Sequence, residues 1–256
     1  METAKQETTA PKTTEYKYEY QQYKSVEEYK APEYWTPSYE AIQEKYSAEK
    51  YEEKQYLPQT SKAGDGKKTA DYLVGNEQEN VVKTYESDDV VEGGYGNDKI
   101  DAGEGDDLIW GISPKHNAED KKYTQPEYME VDWLTGNAGQ DIYAIGTEKY
   151  AHYATNGDQD YAVIKDYKIG EDAVMLHGTP ENYVVGETAT KTPSMEAETM
   201  EPKMEPKAAG IYWDKDQTGS YSTGDDLVAV LEGYTVEELT TAKDSFVYVT
   251  SEVPMA

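Results

Sequence analysis

The sequence predicts an all-β fold, and three observations support this prediction. Between residues 71 and 109, an acidic or amide residue recurs at every ninth position. A large aliphatic residue follows each of them by two positions. In the C-terminal half, short apolar segments alternate with turn residues, which is typical of strands. The centre of the chain should therefore be a regular succession of six-residue turns and three-residue strands.

Two sets of residues carry the nine-residue period. The polar set is Asp71, Asn80, Asp89, Asp98 and Asp107, and the aliphatic set is Leu73, Val82, Val91, Ile100 and Ile109. Two of the units also hold glycines, which let a turn reach positive φ without a Cβ penalty. These glycines are Gly93, Gly94 and Gly96 in one unit, and Gly103 and Gly105 in the next. The units that end at Asn80 and Asp89 keep one glycine and none, so we expect weaker sites there.

The two glycine-rich units, residues 93–101 and 102–110, match the nonapeptide G-G-x-G-x-D-x-U-x, where U is a large apolar residue. The chain therefore resembles the RTX family of secreted bacterial proteins, whose repeat is the hemolysin-type calcium-binding repeat. The resemblance implies a parallel β-roll in which two nonapeptides make one coil, so residues eighteen apart share an edge. Asp71, Asp89 and Asp107 would line one edge, and Asn80 and Asp98 the other.

Calcium is the cofactor that this pattern predicts. Ca²⁺ is a hard cation that takes six to eight oxygen ligands, and these turns aim backbone carbonyls beside carboxylates. The period returns after a polar insertion, residues 112–125. The predicted metal-site residues are Asp71, Asn80, Asp89, Gly93, Gly94, Gly96, Asp98, Gly103, Gly105, Asp107, Asp132, Gly136, Gly139, Asp141 and Asp166. Because the acidic residues repel one another, we expect the roll to fold only with calcium.

The segment 161–176 resembles the I-x-D-F-x-x-G-x-D-x-I-x-L segment that follows many RTX arrays and covers the end of the roll. Tyr167 replaces the usual Phe. In the family, the aspartate equivalent to Asp166 can complete the last metal site, and a plain turn-entry aspartate is an equal alternative. The three histidines, His116, His152 and His177, are expected to be solvated loop residues and not metal ligands.

A second acidic loop lies between two strand-like segments, residues 211–213 and 227–231. Its spacing nearly fits an EF-hand loop, with Asp at the twelfth place instead of Glu. The residues in question are Asp214, Asp216, Thr218 and Asp225. The strand-like flanks favour a β-hairpin, whose loop either holds calcium or does not. Thr235 then begins a capping box for a short helix. Residues 245–249 are expected to form a strand that completes the domain.

The composition makes this an acidic protein and excludes several classes of partner. The chain has 256 residues and a formal net charge of -28, which repels nucleic acids and anionic membranes and favours divalent cations. Cysteine is absent, so disulfides and thiolate metal sites are excluded. No apolar run is long enough for a membrane span, and no N-terminal signal-peptide pattern is visible.

The resemblance implies export through a type I system with an uncleaved C-terminal signal, here expected within residues 239–256. We therefore expect an extracellular or cell-surface protein, and a cytosolic calcium-binding protein is the alternative.

The sequence predicts three regions. Residues 1–62 form a low-complexity Tyr/Glu/Lys-rich region, expected to be disordered or ordered by a partner, although residues 38–55 favour a short helix. Residues 63–146 form the RTX β-roll with its insertion, and residues 147–256 form a β-rich capping domain.

No catalytic motif is visible, neither H-E-x-x-H nor G-x-S-x-G nor a phosphate loop. We therefore predict a secreted, non-enzymatic calcium-binding protein with a structural role at the cell surface, in a matrix or in a biofilm. One alternative is an adhesion module whose Tyr-rich arm, residues 1–62, binds a glycan or protein partner or a second copy. Another is an enzyme whose chemistry lies in the C-terminal domain.

Overall fold

Two β-sheets enclose a shared core in the part of the chain that the structure describes. This computed structural model describes residues 34–47, 50–51, 54–58, 63–114, 129–154, 156–188 and 208–250. These residues belong to one unit that begins at Glu33. The predictions for most of the Tyr-rich arm, for most of the insertion after Gly111, for His116 and for residues 251–256 lie outside these ranges.

The described residues form two α-helices and fifteen strands. In chain order they are α1 (Tyr39–Lys45), β1 (Lys54–Tyr56), β2 (Ala63–Asp65), β3 (Tyr72–Val74), β4 (Val81–Lys83), β5 (Val90–Gly94), β6 (Lys99–Glu104), β7 (Leu108–Ile112), β8 (Val131–Ala138), β9 (Ile142–Ala144), β10 (Tyr161–Ile164), β11 (Ala173–His177), β12 (Tyr183–Glu187), β13 (Ala208–Trp213), β14 (Asp226–Glu232), α2 (Val236–Thr241) and β15 (Val247–Val249). One sheet has the order β1-β3-β5-β7-β9-β11-β15, and the other has the order β12-β13-β14-β10-β8-β6-β4-β2.

Successive strands of the repeat region alternate between the two sheets, so two strands make one coil of a parallel β-roll. Leu73 pairs with Val91, and Val91 pairs with Ile109, at the eighteen-residue register that the sequence predicts. The aliphatic residue of each unit points into the roll and is at most 2% exposed. The predicted β-roll is confirmed, and its core is the stack of these aliphatic side chains.

The insertion after Gly111 lengthens one coil without shifting the register. Ile100 pairs with Leu134 and Ile109 pairs with Tyr143, so partners lie 34 residues apart instead of eighteen. The coil therefore contains sixteen extra residues. Ile112 still belongs to β7, which corrects the predicted start of the insertion at this residue.

The strand pairing of the roll already includes β1, which lies before the predicted start of the roll at residue 63. β1 pairs with β3 and β2 pairs with β4, in both cases at the eighteen-residue register. The sequence hid this coil because Gln55 and Gly64 stand where later units have an aliphatic residue. A Cβ added at Gly64 would lie 3.0 Å from the side chain of Leu57, which fills the space of the missing side chain.

Part of the region predicted as low complexity, including a short helix within the predicted residues 38–55, belongs to the folded unit. Ser38 caps α1 by accepting a hydrogen bond from the backbone N–H of Ala41. Ile42 is 3% exposed and packs in an apolar cluster with Leu108 and Trp110 on the outer face of the seven-stranded sheet. The helix ends at Lys45, ten residues before the end of the predicted span.

The predicted capping domain continues both sheets without a break. β10 and β14 extend the eight-stranded sheet in parallel, and β11 and β15 extend the other. The antiparallel hairpin of β13 and β14 is the predicted one, and the predicted capping box of Thr235 and Glu238 begins α2. Roll and cap share one core, because Tyr167 packs edge-on against Tyr143 of the roll. Among the described residues, neither helix has the length and apolar character needed to cross a membrane.

Candidate metal centre

The polar residues of the nine-residue period stack into two rows along the roll. In each row, one side-chain oxygen accepts a hydrogen bond from the backbone N–H of the row residue one coil earlier, at 2.7–3.1 Å. The first row is Asp71, Asp89, Asp107, Asp141 and Asp172, and the second row is Asn80, Asp98 and Asp132. The structure thus brings the predicted acids together. It also places Asp172, which was not a predicted ligand, in the first row. The sequence signal for this residue is the G-x-D motif of residues 170–172.

The hydrogen bonding of the second carboxylate oxygen differs between the middle of the rows and their ends. Oδ2 of Asp89, Asp98 and Asp107 is buried and has no hydrogen-bond donor among the described residues. The nearby Thr84 hydroxyl donates its proton to the Ala102 carbonyl at 2.6 Å. An unsatisfied buried carboxylate oxygen is costly, so these three positions need a positive partner.

At the ends of the rows, proton donors take the second oxygen. Asp71 accepts hydrogen bonds from the Gln55 side chain at 2.9 Å and from the backbone N–H of Lys67. Asp172 accepts one from the backbone N–H of Lys168 at 2.8 Å. Asp132 accepts one from the hydroxyl of Tyr153. Among the row residues, the demand for a cation is therefore concentrated in the centre. Outside the rows, Oε1 of Glu130 and Oδ1 of Asp160 are also buried without a donor among the described residues.

Glycines allow carbonyl oxygens to approach the same places. A Cβ added at Gly93 would collide with Oδ2 of Asp98 and would lie 2.5 Å from the carbonyl oxygen of Gly111. A Cβ at Gly75 would collide with the carbonyl oxygen of Gly93 and lie 2.5 Å from Oδ1 of Asn80. At each of these glycines, a side-chain oxygen and a carbonyl oxygen of the next coil thus border the same small space. Any residue other than glycine would fill that space with its Cβ. Orphaned carboxylates beside carbonyls, all of them oxygen donors, fit Ca²⁺.

The glycine-free unit before Asp89 still adopts the repeat's turn. Gly94 and Gly96 have φ of 118° and 98°, and the equivalent Tyr85 and Ser87 have φ of 78° and 94°. Such left-handed backbone costs a non-glycine residue about 1–2 kcal/mol, so this unit keeps its geometry under strain. The degenerate sequence therefore weakens the turn energetically but does not change its shape.

Burial makes the row carboxylates difficult to ionise in the absence of a counter-ion. Burial raises the pKa of Asp89 to about 7 and that of Asp107 to about 8. Burial, and then the charge of Asp132, raise the pKa of Asp98 well above its usual range. A cation between the coils would remove this penalty, because it replaces the lost hydration of the charged oxygens.

Two buried acids lie beside the second row, and no repeat spacing in the sequence marks them. Glu130 is 3% exposed and accepts a hydrogen bond from the backbone N–H of Gly96 at 2.7 Å through one oxygen. Asp160 accepts one from the Asn156 side chain at 3.1 Å. Burial raises the pKa of Glu130 well above its usual range and that of Asp160 to about 7, so both carboxyls hold a proton more readily than exposed ones.

The acidic hairpin loop also gathers carboxylates. Oxygens of Asp214, Asp216 and Asp225 lie within 4.8 Å of one another. Backbone N–H groups of the loop already bond the two buried members: Thr218 and Gly219 donate to Asp214, and Lys215 and Ser222 donate to Asp225. The Thr218 hydroxyl donates to the Ser220 carbonyl at 3.0 Å.

Asp166 covers the turn that precedes β9. It accepts hydrogen bonds from the backbone N–H of Gly136 at 3.1 Å, the backbone N–H of Asn137 at 2.7 Å and the Tyr143 hydroxyl at 2.8 Å. Proton donors therefore hold both of its oxygens, as they do at the ends of the rows.

The prediction that the histidines are solvated loop residues is wrong for the two that the structure describes. His152 is only 5% exposed, and its ring lies 5.8 Å from that of Trp110. His177 belongs to β11, where it stacks on Trp213 and its Nδ1 lies 2.8 Å from the Thr147 carbonyl. Both rings serve packing, which a histidine count in the sequence does not reveal.

Comparison with known protein families agrees with this geometry. Residues 65–94 and 84–111 match the model of the RTX calcium-binding nonapeptide repeat, with four copies. The chain therefore carries RTX repeats, which bind Ca²⁺, and RTX repeat proteins are typically secreted. The matched repeat is a structural, calcium-binding unit and not a catalytic one. No curated protein matches the chain.

The raised pKa values predict an unusual pH dependence for the calcium-free protein. An ordinary aspartate has a pKa of about 3.9. Since the pKa values of Asp89 and Asp107 are raised to about 7 and about 8, the folded chain keeps protons that the unfolded chain releases. Stability should therefore rise as the pH falls from about 8 toward about 4.

Circular dichroism of protein stripped of calcium by dialysis checks this, and it should show a larger folded fraction at about pH 5 than at about pH 8. Calcium-saturated protein is the control and should show the reverse trend, because protons compete with the ion. A stripped protein that becomes less stable on acidification would contradict the assignment.

Proposed function

We propose that this protein binds calcium between the coils of its roll, and that Asp89, Asp98 and Asp107 are the main anionic ligands. One observation carries the proposal: these are the row carboxylates whose second oxygen is buried without a proton donor among the described residues. The match to RTX calcium-binding repeats, which covers residues 65–111, supports it.

The backbone completes each proposed site. The carbonyl of Gly111 faces the same space as Asp98 Oδ2, and the carbonyl of Gly93 faces the same space as Asn80 Oδ1. Predicted glycines such as Gly94, Gly96, Gly103 and Gly105 contribute the left-handed turn that brings these carbonyls inward. Asn80 supplies a neutral oxygen that already accepts the backbone N–H of Asn76 at 3.0 Å, so its site is the weaker one.

Calcium also serves as the staple of the fold. The chain has no cysteine for disulfides and carries a net charge of -28. An ion that binds the folded roll and not the unfolded chain stabilises the roll by mass action. We infer that the ion is part of the folded structure and not an optional ligand.

The extracellular space, where calcium is plentiful, is the place that we propose for this function. The chain would act there as a non-enzymatic structural protein of the cell surface, a matrix or a biofilm. The typical secretion of RTX repeat proteins supports this location. Fractionation of a producing culture tests it: the intact protein should be in the medium or on the cell surface, and its confinement to the cytosol would rule the location out.

Single substitutions rank the proposed ligands. Asp98→Ala and Asp107→Ala should each weaken calcium binding by at least about tenfold, which corresponds to about 1.4 kcal/mol. Asn80→Ala should weaken it less, because a neutral oxygen in a degenerate unit is lost. Titration calorimetry on the full chain measures both the affinity and the number of ions bound.

The exposed Asp158 offers a matched control, since Asp158→Asn also removes one negative charge but lies outside both rows. It should leave the number of bound ions unchanged. Equal losses in the Asp98, Asp107 and Asn80 variants, or a loss in the control, would show that the ranking is wrong.

A further inference from the structure

We propose that the hydroxyl of Tyr153 ends the second row without a metal, because it places a proton where the preceding coils take a cation. Asp132, an expected ligand from its position in the period, then belongs to this cap. The inference rests on the proposed function, because it states where the series of calcium sites stops.

Three equivalent glycines of the second row show the change. At Gly75 and Gly93, the space of a Cβ is bordered by the row residue's side-chain oxygen and by a carbonyl oxygen of the next coil. At Gly111, the same space is bordered by Oδ2 of Asp132 and by the hydroxyl oxygen of Tyr153. At Gly111 the hydroxyl therefore takes the place that a carbonyl oxygen has at Gly75 and Gly93.

The next coil explains why a substitute is needed. β10 follows β8 in the eight-stranded sheet, and its Ala162 pairs with Asp132. An alanine stands where the row would continue with another acid. The row itself therefore offers no further side chain that could share an ion with Asp132, and the nearby buried oxygens of Glu130 and Asp160 without a donor belong to residues outside the row.

The hydrogen bonds of Asp132 are complete without an ion. Its Oδ1 accepts the backbone N–H of Asp98 at 2.7 Å, and its Oδ2 accepts the Tyr153 hydroxyl. One coil earlier, Oδ1 of Asp98 accepts the backbone N–H of Asn80 in the same way, but its Oδ2 has no donor among the described residues. A tyrosine hydroxyl keeps its proton at neutral pH, so it donates where a cation would otherwise bind.

The backbone holds Tyr153 in an unfavourable conformation to achieve this contact. Its φ is 58°, which is rare for a bulky residue, and it is 3% exposed. Its neighbour His152 donates its backbone N–H to the Ile145 carbonyl at 3.0 Å, and Ala151 bridges to Gly146. Such strain persists where surrounding contacts fix it and often marks a residue with a specific task.

A calcium-ligand role and a capping role for the Tyr153 hydroxyl predict different effects of removing it. If the Tyr153 oxygen were a calcium ligand, Tyr153→Phe would lower the number of bound ions by one, and its cost would appear mainly in calcium. If the hydroxyl is a cap, Tyr153→Phe leaves Asp132 Oδ2 without a donor in the calcium-free protein as well. The number of bound ions then stays the same or rises by one, because a new orphaned oxygen becomes available.

The experiment measures unfolding of the full chain with and without calcium, together with calorimetric stoichiometry. The calcium-free arm contains trimethylamine N-oxide, an osmolyte that favours the folded state, so that the calcium-free equilibrium can be measured. We expect Tyr153→Phe to raise the calcium-free unfolding constant roughly tenfold to a hundredfold, which is typical for a lost hydrogen bond to a charged group. Tyr212→Phe is the matched control, because that fully buried hydroxyl donates to the neutral Glu187 carbonyl at 2.9 Å, away from the rows. Its cost should be the same with and without calcium.

The double variant Tyr153→Phe with Asp132→Asn keeps the test valid if the single variant folds poorly. With the charge of Asp132 removed, loss of the hydroxyl should cost much less than in the wild-type background. A lost calcium ion in Tyr153→Phe, an unchanged calcium-free stability, or equal costs in both backgrounds would overturn the proposal. Titration of the wild-type protein separates this result from failure of the proposed function, which would appear as no calcium binding at all.

Discussion

This structure depends on one constraint: the carboxylates of the two rows, which carry the same charge, stack on one another between successive coils. After the first residue of each row, each row residue uses one oxygen to accept a hydrogen bond from the backbone of the previous coil, and its other oxygen must then find a positive partner in a buried place. At the ends of the rows that partner is a proton donor from Gln55, Lys67, Lys168 or Tyr153. In the middle, a bound cation would be that partner, or a proton at lower pH, and the glycines leave room for the carbonyls that would share the cation. Fold and calcium binding are therefore consequences of the same contacts.

This arrangement explains which irregularities the chain tolerates. Sixteen extra residues after Gly111 do not disturb the rows, because Asp132 resumes the contact with Asp98 that an uninterrupted repeat would have made. A unit with no glycine keeps the turn at Tyr85 and Ser87 by accepting strain. A loop can grow or a turn can be strained, whereas a change of register would separate every row contact at once.

The sequence predicted the repeat geometry because period, charge and turn chemistry all point to one arrangement. Residues such as Leu73, Val91 and Ile109 could be placed in the core from spacing alone. Where a coil depends on tertiary packing, the prediction failed: Leu57 fills the space at Gly64, and Ile42 attaches α1 to the sheet. The role of Tyr153 was also hidden, since no spacing rule links it to Asp132 across 21 residues.

Circular dichroism of the full chain at neutral pH, first in chelator and then in millimolar calcium, tests the central claim most directly. If buried like charges keep the roll from folding, the chain in chelator should show mostly coil, and calcium should produce the strand signal cooperatively. A complete strand signal in chelator, unchanged by calcium, would show that the rows need no cation and would contradict the account.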